Sequence, residues 1–125
     1  MTDTFRILVT GSREWADENL IAGALLHETS RRPSSETITI VHGDARGADA
    51  MAARVALHYG WQAEPHPADW SYGKSAGFIR NAEMVALGAG VCLAFYKQGA
   101  GNKGTDHCAS LAEKAGIPVR RFTGR

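Results

Sequence analysis

The chain has 125 residues, 44% of them hydrophobic and 22% charged, with 14 basic and 13 acidic side chains and a net charge of +1. That is one domain's worth of sequence with enough apolar side chains to bury a core, which excludes intrinsic disorder as its main state. The near-neutral balance excludes a protein held on nucleic acid by bulk phosphate electrostatics, and two cysteines, Cys92 and Cys108, form neither a disulfide framework nor a zinc spacing.

In chain order, Phe5 to Thr10 (FRILVT) is a short apolar run stopping at Gly11 and predicts a first strand. Asp17 is placed to cap a helix with Leu20, Ile21, Ala24 and Leu25 on one face. Arg31 to Ser35 reads as a loop, and Thr37 to His42 (TITIVH) as the second strand, stopping at Gly43. Gly47 to His58 has helical spacing, with Met51, Val55 and Tyr59 in register. Trp61 to His66 is a poorer strand candidate, followed by a loop of over ten residues with two prolines and two aromatics. Gly77 to Leu87 is a third helix with Phe78, Ala82 and Val85 on its apolar face, and Val91 to Tyr96 (VCLAFY) a further strand. Thr105 to Ala115 predicts a fourth helix, carrying Cys108, Leu111, Ala112 and Ala115 and closing at Gly116. Ile117 to Phe122 is the last strand, and Thr123 to Arg125 is expected to fray.

Strict alternation of five strands and four helices argues for an α/β, three-layer Rossmann-like fold. Its expected sheet is five-stranded and mostly parallel, with helices on both faces, in a single domain over residues 1–125. No run of 18 apolar residues occurs, and the start MTDTFRILVTG lacks the basic-then-apolar form of a signal peptide. A cytoplasmic protein without a membrane partner is expected.

In open α/β sheets, ligands bind beyond the carboxyl ends of the strands, where the strand order reverses. With the order 3-2-1-4-5 that point lies between the first and fourth strands. The loops there are Thr10-Gly11-Ser12-Arg13 and Gly99-Ala100-Gly101-Asn102-Lys103-Gly104-Thr105. The second carries three glycines, Lys103 and Thr105 just before a helix, the makings of a phosphate cradle; the plainer alternative is a flexible surface loop. Ser12 and Arg13 suit phosphate as hydroxyl and guanidinium donors, though an arginine there is equally at home in solvent. Neither loop matches GxGxxG or GxxxxGK[ST]. In His42-Gly43-Asp44-Ala45-Arg46-Gly47-Ala48-Asp49, one of Asp44 and Asp49 is expected to cap the helix and the other to accept from a ribose hydroxyl. Trp70 is expected to plug the edge of the core, with stacking of Trp70 and Tyr72 on a base as the alternative. Arg80, beside Asn81, is a second candidate for phosphate or carboxylate. No metal site is expected, because His107-Cys108 lacks a second pair of ligands, and Cys92 reads as a small core residue.

The segments ILVTGSRE, VHGDARGAD, ADWSYGKSAGFIRNAEM and GNKGTD, followed by AGIPV, resemble the YspA/YpsA-like branch of the SLOG superfamily. These are Rossmann-like domains related to the LOG phosphoribohydrolases and to the DNA-processing protein DprA. The resemblance runs from Arg6 to Phe122 and implies a nucleotide-derived ligand at the strand ends. In that view Gly11, Ser12 and Arg13 form one ligand loop and Gly43, Asp44, Gly47 and Asp49 a second. Arg80 and Asn81 line the pocket, and Gly101, Gly104 and Thr105 hold phosphate. The LOG pattern Pro-Gly-Gly-x-Gly-Thr-x-x-Glu is broken: Asn102 replaces the second glycine and Cys108 the glutamate. A thiol cannot stabilise an oxocarbenium ion as a carboxylate does, so hydrolysis would depend on Arg80 with Asp106 or Glu83. The leading expectation is a nucleotide-sensing or sequestering module, NAD/ADP-ribose-like or nucleoside phosphate in ligand, without a further cofactor. The alternative is a nucleoside-5′-monophosphate phosphoribohydrolase, and DNA binding stands third. A homo-oligomer, dimer or tetramer, is expected because a domain this small offers shallow pockets.

Overall fold

The computed structural model describes residues 3–124. Five strands, β1 (Thr4–Gly11), β2 (Thr37–His42), β3 (Gln62–Pro65), β4 (Val91–Lys97) and β5 (Val119–Gly124), alternate with four helices. These are α1 (Glu18–Thr29), α2 (Ala48–Tyr59), α3 (Ala76–Ala86) and α4 (Lys103–Lys114). The strand order is β3-β2-β1-β4-β5, and every neighbouring pair is parallel, so the sheet is parallel throughout. The chain builds outward from β1 to β3, then returns across β1 to build β4 and β5 on the other side. That reversal puts a crevice between the ends of β1 and β4.

Period-two alternation divides the core between the two sheet faces. Ile7 and Val9 of β1, with Ile40, Leu93 and Phe95, pack against Ile21 and Leu25 of α1 and Ala52, Val55 and Ala56 of α2. Leu8, Val41 and Cys92 face the other way, onto Met84 and Val85 of α3 and Cys108 and Ala112 of α4. Each fully buried aliphatic side chain contributes about 1.5–3 kcal/mol, so the central strands carry much of the stability. Trp15 seals the first face: it meets the Phe95 ring edge-on at 5.3 Å, and its indole N–H donates to the Asp17 carbonyl at 2.7 Å. Asp17 caps α1 as its sequence suggests, accepting from Leu20 N at 3.1 Å. At the far edge, Arg6 of β1 reaches over β2 to clasp Glu64 of β3 through two bonds of 2.8 Å.

Four local expectations need correction. Thr123 and Gly124 do not fray: they pair with Tyr96 and Lys97, extending β5. Arg125 lies outside the described residues. Helix α3 is turned so that Asn81, Met84 and Val85 are buried and Ala82 is exposed, with Phe78 half-buried. The inward Asn81 is satisfied by polar partners on α4, which is what permits that rotation. Tyr59 is 44% exposed and Ala115 is also exposed, both at helix ends beyond the last turn that touches the sheet. The long loop after β3 contains short 3₁₀ turns over Trp70–Ser75, interrupted at Gly73 with φ +73°. They start from Asp69, whose carboxylate accepts from Ser71 N at 3.1 Å and from its hydroxyl at 2.6 Å.

Candidate functional site

Beyond the ends of β1 and β4 lies a cleft of about 370 Å³, within the size range of small-molecule sites. Its floor is Thr10, Gly11 and Ser12. Its walls are Asp49 of α2, Arg80, Asn81 and Met84 of α3, and Gly101, Gly104 and Thr105 at the start of α4. Arg13 and Trp70 stand at the mouth. A second cavity of about 490 Å³ opens beside it, lined by Gly43 and Asp44 and sharing Arg13, Ala45, Trp70 and Arg80 with the first. Of the candidate ligand-binding and catalytic residues singled out in the sequence, Gly47, Tyr72, Glu83, Lys103 and Asp106 line neither.

The loops after β1 and β2 are locked together by close backbone approach. Ala48 N donates to Ser12 O at 3.2 Å, and a Cβ on Gly47, at φ +76°, would lie 2.5 Å from the same oxygen. A Cβ on Gly11 would meet that of Ala48 at 2.5 Å. Gly47 therefore shapes the site without reaching it. Ser12 N donates to Phe95 O at 2.9 Å, and its Oγ accepts from Glu14 N at 3.0 Å, a bond that does not use the hydroxyl proton.

Neither Asp44 nor Asp49 caps α2, which has Gly47 at its N-cap and no side-chain capping bond. Asp44 adopts φ +57°, and its N–H donates to His42 Nδ1 at 3.0 Å. Asp49 is drawn back across the loop, where Oδ2 accepts from Gly43 N at 2.9 Å and Ala45 N at 3.4 Å. Asp49 is only 5% exposed, and its Oδ1 has no hydrogen-bond partner among the described residues. Loss of water dominates over the two backbone bonds and the nearby Arg80, and raises its pKa from 3.8 to about 6. A buried oxygen without a donor costs roughly 1–3 kcal/mol, and the residue that carries it is one of those lining the cleft.

Arg80 is held from several sides. Nη1 donates to the carbonyls of Gly43 at 2.5 Å and His66 at 3.3 Å, and Nε to Asn81 Oδ1 at 3.0 Å. A Cβ on Gly43 would stand 2.5 Å from Nη1, so this glycine keeps the guanidinium's place. Asn81 passes the constraint on, donating to Gly104 O and approaching His107 Nδ1, each at 3.2 Å. The loop before α4 is braced by Asn102, whose Oδ1 accepts from Lys97 N and whose Nδ2 donates to the Lys97 and Ala100 carbonyls. Asn102 thus occupies the place of a cradle glycine and serves as a bracket. At Gly101 and Gly104 a Cβ would have no protein atom within 4 Å. The N–H groups of the first α4 turn have no intrahelical acceptors and carry the positive end of the helix dipole.

Trp70 does not plug the core. It is 57% exposed, with the Arg13 guanidinium 5.6 Å from its ring centroid, because the 3₁₀ turns carry it above the strand ends. Tyr72 is 65% exposed and lines neither cavity. Lys103 points its ammonium toward the Phe78 ring, 6.0 Å from the centroid. Asp106 turns away from the cleft and accepts from the Tyr96 hydroxyl at 3.1 Å. Cys108 is fully buried in the second core face, and burial pushes its thiol up to about 11. Thr10, Lys74, Phe78 and Met84 also line the cleft. Phe78 stands in the sequence only as part of a helix's apolar face, and Met84 and Lys74 carry no local signal of the cleft beyond the Asp-x-Ser of Asp69 and Ser71 that starts the 3₁₀ turns.

Among the described residues no helix is long and apolar enough to cross a membrane. The family model described as YspA, cpYpsA-related SLOG matches residues 5–73, from β1 through most of the 3₁₀ turns. The chain is also 47% identical over 123 residues to the Gene 61 protein of Mycobacterium phage D29, covering 94% of this chain and 95% of that one. A match over more than half the chain, and a relative this similar over nearly all of both sequences, carry one conclusion: the chain belongs to the YspA, cpYpsA-related SLOG family.

Proposed function

We propose that the cleft binds a nucleotide or a nucleotide-derived small molecule, NAD/ADP-ribose-like or a nucleoside phosphate, as a sensing or sequestering module. The observation that carries this reading is the cleft of about 370 Å³ beyond the ends of β1 and β4, where Gly101 and Gly104 at the start of α4 leave the approach clear of protein atoms. A phosphate placed by the same ligand meets the first-turn N–H groups of α4, with the Ser12 and Thr105 hydroxyls beside it. The glycines at 101 and 104 keep side chains out of that approach. Calorimetric titration with a panel of nucleotides tests the reading: dissociation constants well below millimolar are expected, and no binding below millimolar would overturn it.

The second reading is N-glycosidic hydrolysis of a nucleoside 5′-monophosphate. Asp106 does not support it; what favours it is that the cleft wall brings a carboxylate, Asp49, and a guanidinium, Arg80, to one site. Release of free base from AMP, lost in Asp49→Asn and Arg80→Ala, is the expected sign; a fully stable AMP would rule it out. We further place the protein in the cytoplasm as a homodimer or tetramer. The outward Ile79 and Leu87 at the two ends of α3, 40% and 58% exposed, favour self-association, which light scattering would read as a multiple of the 13.4 kDa chain mass.

A further inference from the structure

The amide of Asn81 ties two walls of the cleft together. Asn81 lies on α3 and is 4% exposed. Its Oδ1 accepts from Arg80 Nε at 3.0 Å, and its Nδ2 lies 3.2 Å from both Gly104 O, in the first turn of α4, and His107 Nδ1. The first two partners fix which end of the amide is which. A guanidinium N–H only donates and a backbone carbonyl only accepts, so a turned amide would set donor against donor at Arg80 and oxygen against oxygen at Gly104. The NH2 group therefore faces His107, and both of its protons are used only when Nδ1 carries none. His107 is thereby held as the neutral ring with its proton on Nε2.

The His107 ring is packed against Phe78 of the cleft wall, with centroids 4.3 Å apart and planes tilted by 33°. The charges about it are cationic: Lys114 on its own helix, Arg80 of α3 across the shared amide, and the Lys103 ammonium toward the Phe78 ring. Loss of water and then Lys114 lower its pKa from 6.5. A proton on Nδ1 would put two N–H groups head to head. The amide has no second orientation that satisfies both Gly104 and Arg80, so the conflict passes to them: Asn81 withdraws, and Arg80 loses the acceptor that holds Nε.

We propose that His107 is a positioning residue for the cleft: unprotonated, it completes the Asn81 amide that seats the Arg80 guanidinium against the start of α4, and protonated, it unseats them. The cleft then holds an anion at neutral pH and loosens it in acid. A histidine touching the anion directly would do the reverse, since its added charge attracts. This regulation rests on the nucleotide-binding reading.

Calorimetry with ADP-ribose at about pH 7.5 and about pH 5 tests it; each phosphate of this probe has a single, strongly acidic ionisation, so its charge is constant over that range. The parent is expected to bind about threefold or more weaker in acid. Asp49 and His42 also gain protons on acidification, so the loss is read against His107→Asn, which offers an acceptor at the same branch point and does not titrate. This variant is expected to match the parent at neutral pH and to lose about threefold less in acid. His107→Phe keeps a ring against Phe78 without an acceptor, and is expected to bind about threefold to tenfold weaker than the parent at neutral pH. Nitrogen-15 NMR of the ligand-free parent at neutral pH is expected to show the Nε2–H tautomer of His107. The Nδ1–H tautomer, or an acid loss as large in His107→Asn as in the parent, would overturn the role of His107 and leave the nucleotide reading standing. If ADP-ribose does not bind the parent even at neutral pH, that counts against the nucleotide reading, and the tautomer decides on His107 by itself.

Discussion

The loops after β1 and β2 and the loop after β4 end at the same edge of the sheet, and both are rich in glycine for opposite reasons. At Gly11, Gly43 and Gly47 a side chain would strike the protein itself: the Cβ of Ala48, the guanidinium of Arg80 and the Ser12 carbonyl. At Gly101 and Gly104 it would strike nothing. The first group keeps the fold's own elements close, so its glycines are explained without a ligand. The second group is unexplained by packing, and the space it leaves lies beside the cleft. Glycine at a strand end is therefore two signals, and only the neighbouring atoms separate them.

The strongest way to break this contrast is at Gly47. Gly47→Ala forces a Cβ at φ +76° and into backbone 2.5 Å away, and is expected to cost about 2–4 kcal/mol in urea unfolding. A cost within experimental error of zero would mean that the β1 and β2 loops are not held by close approach.

Asp49 divides the same way within one carboxylate, with Oδ2 holding the loop and Oδ1 buried without a donor among the described residues. Its raised pKa fixes the sign of a pH effect. Between the unfolded value near 4 and the folded value of about 6, the native state holds the proton more tightly, so stability falls as pH rises through that window. The benefit of the protonated form is fully present below pH 4 and gone above about 6. Asp49→Asn keeps an acceptor for Gly43 and Ala45 without the buried charge. It is expected to flatten the pH dependence and raise stability at pH 7 by up to about 3 kcal/mol, read from thermal unfolding at a series of pH values. A variant less stable than the parent at pH 7 would show that the ionised form is compensated in the empty cleft.

Much of this was legible in the sequence. The runs FRILVT, TITIVH and VCLAFY end at the strands' own boundaries to within a residue or two, because parallel strands buried on both faces read as continuous apolar stretches. The alternation of elements then left few topologies, and the placement of the loops at the strand ends followed. What stayed hidden depends on contacts across the fold. Nothing local tells Asp49 to brace its loop rather than cap α2, since both use the same acceptor on the same turn. Trp70 reads as core until the 3₁₀ turns lift it out, while Trp15, with the same chemistry, is the one that seals the sheet. The rotation of α3 is set by one polar residue, Asn81, finding partners on α4. Asp106 is turned away by Tyr96, a strand residue whose hydroxyl position the sequence does not show.

The smallest expected effect on stability belongs to Gly104, and there the account is most exposed. Gly104→Ala meets no atom and sits in the first turn of a helix, so it is expected to leave the melting temperature unchanged or slightly raised. Calorimetric titration of this variant with ADP-ribose, beside the parent protein, is the direct measurement. A folded variant whose affinity has dropped about tenfold or more supports a phosphate seated at the start of α4. A folded variant that binds ADP-ribose as tightly as the parent contradicts it.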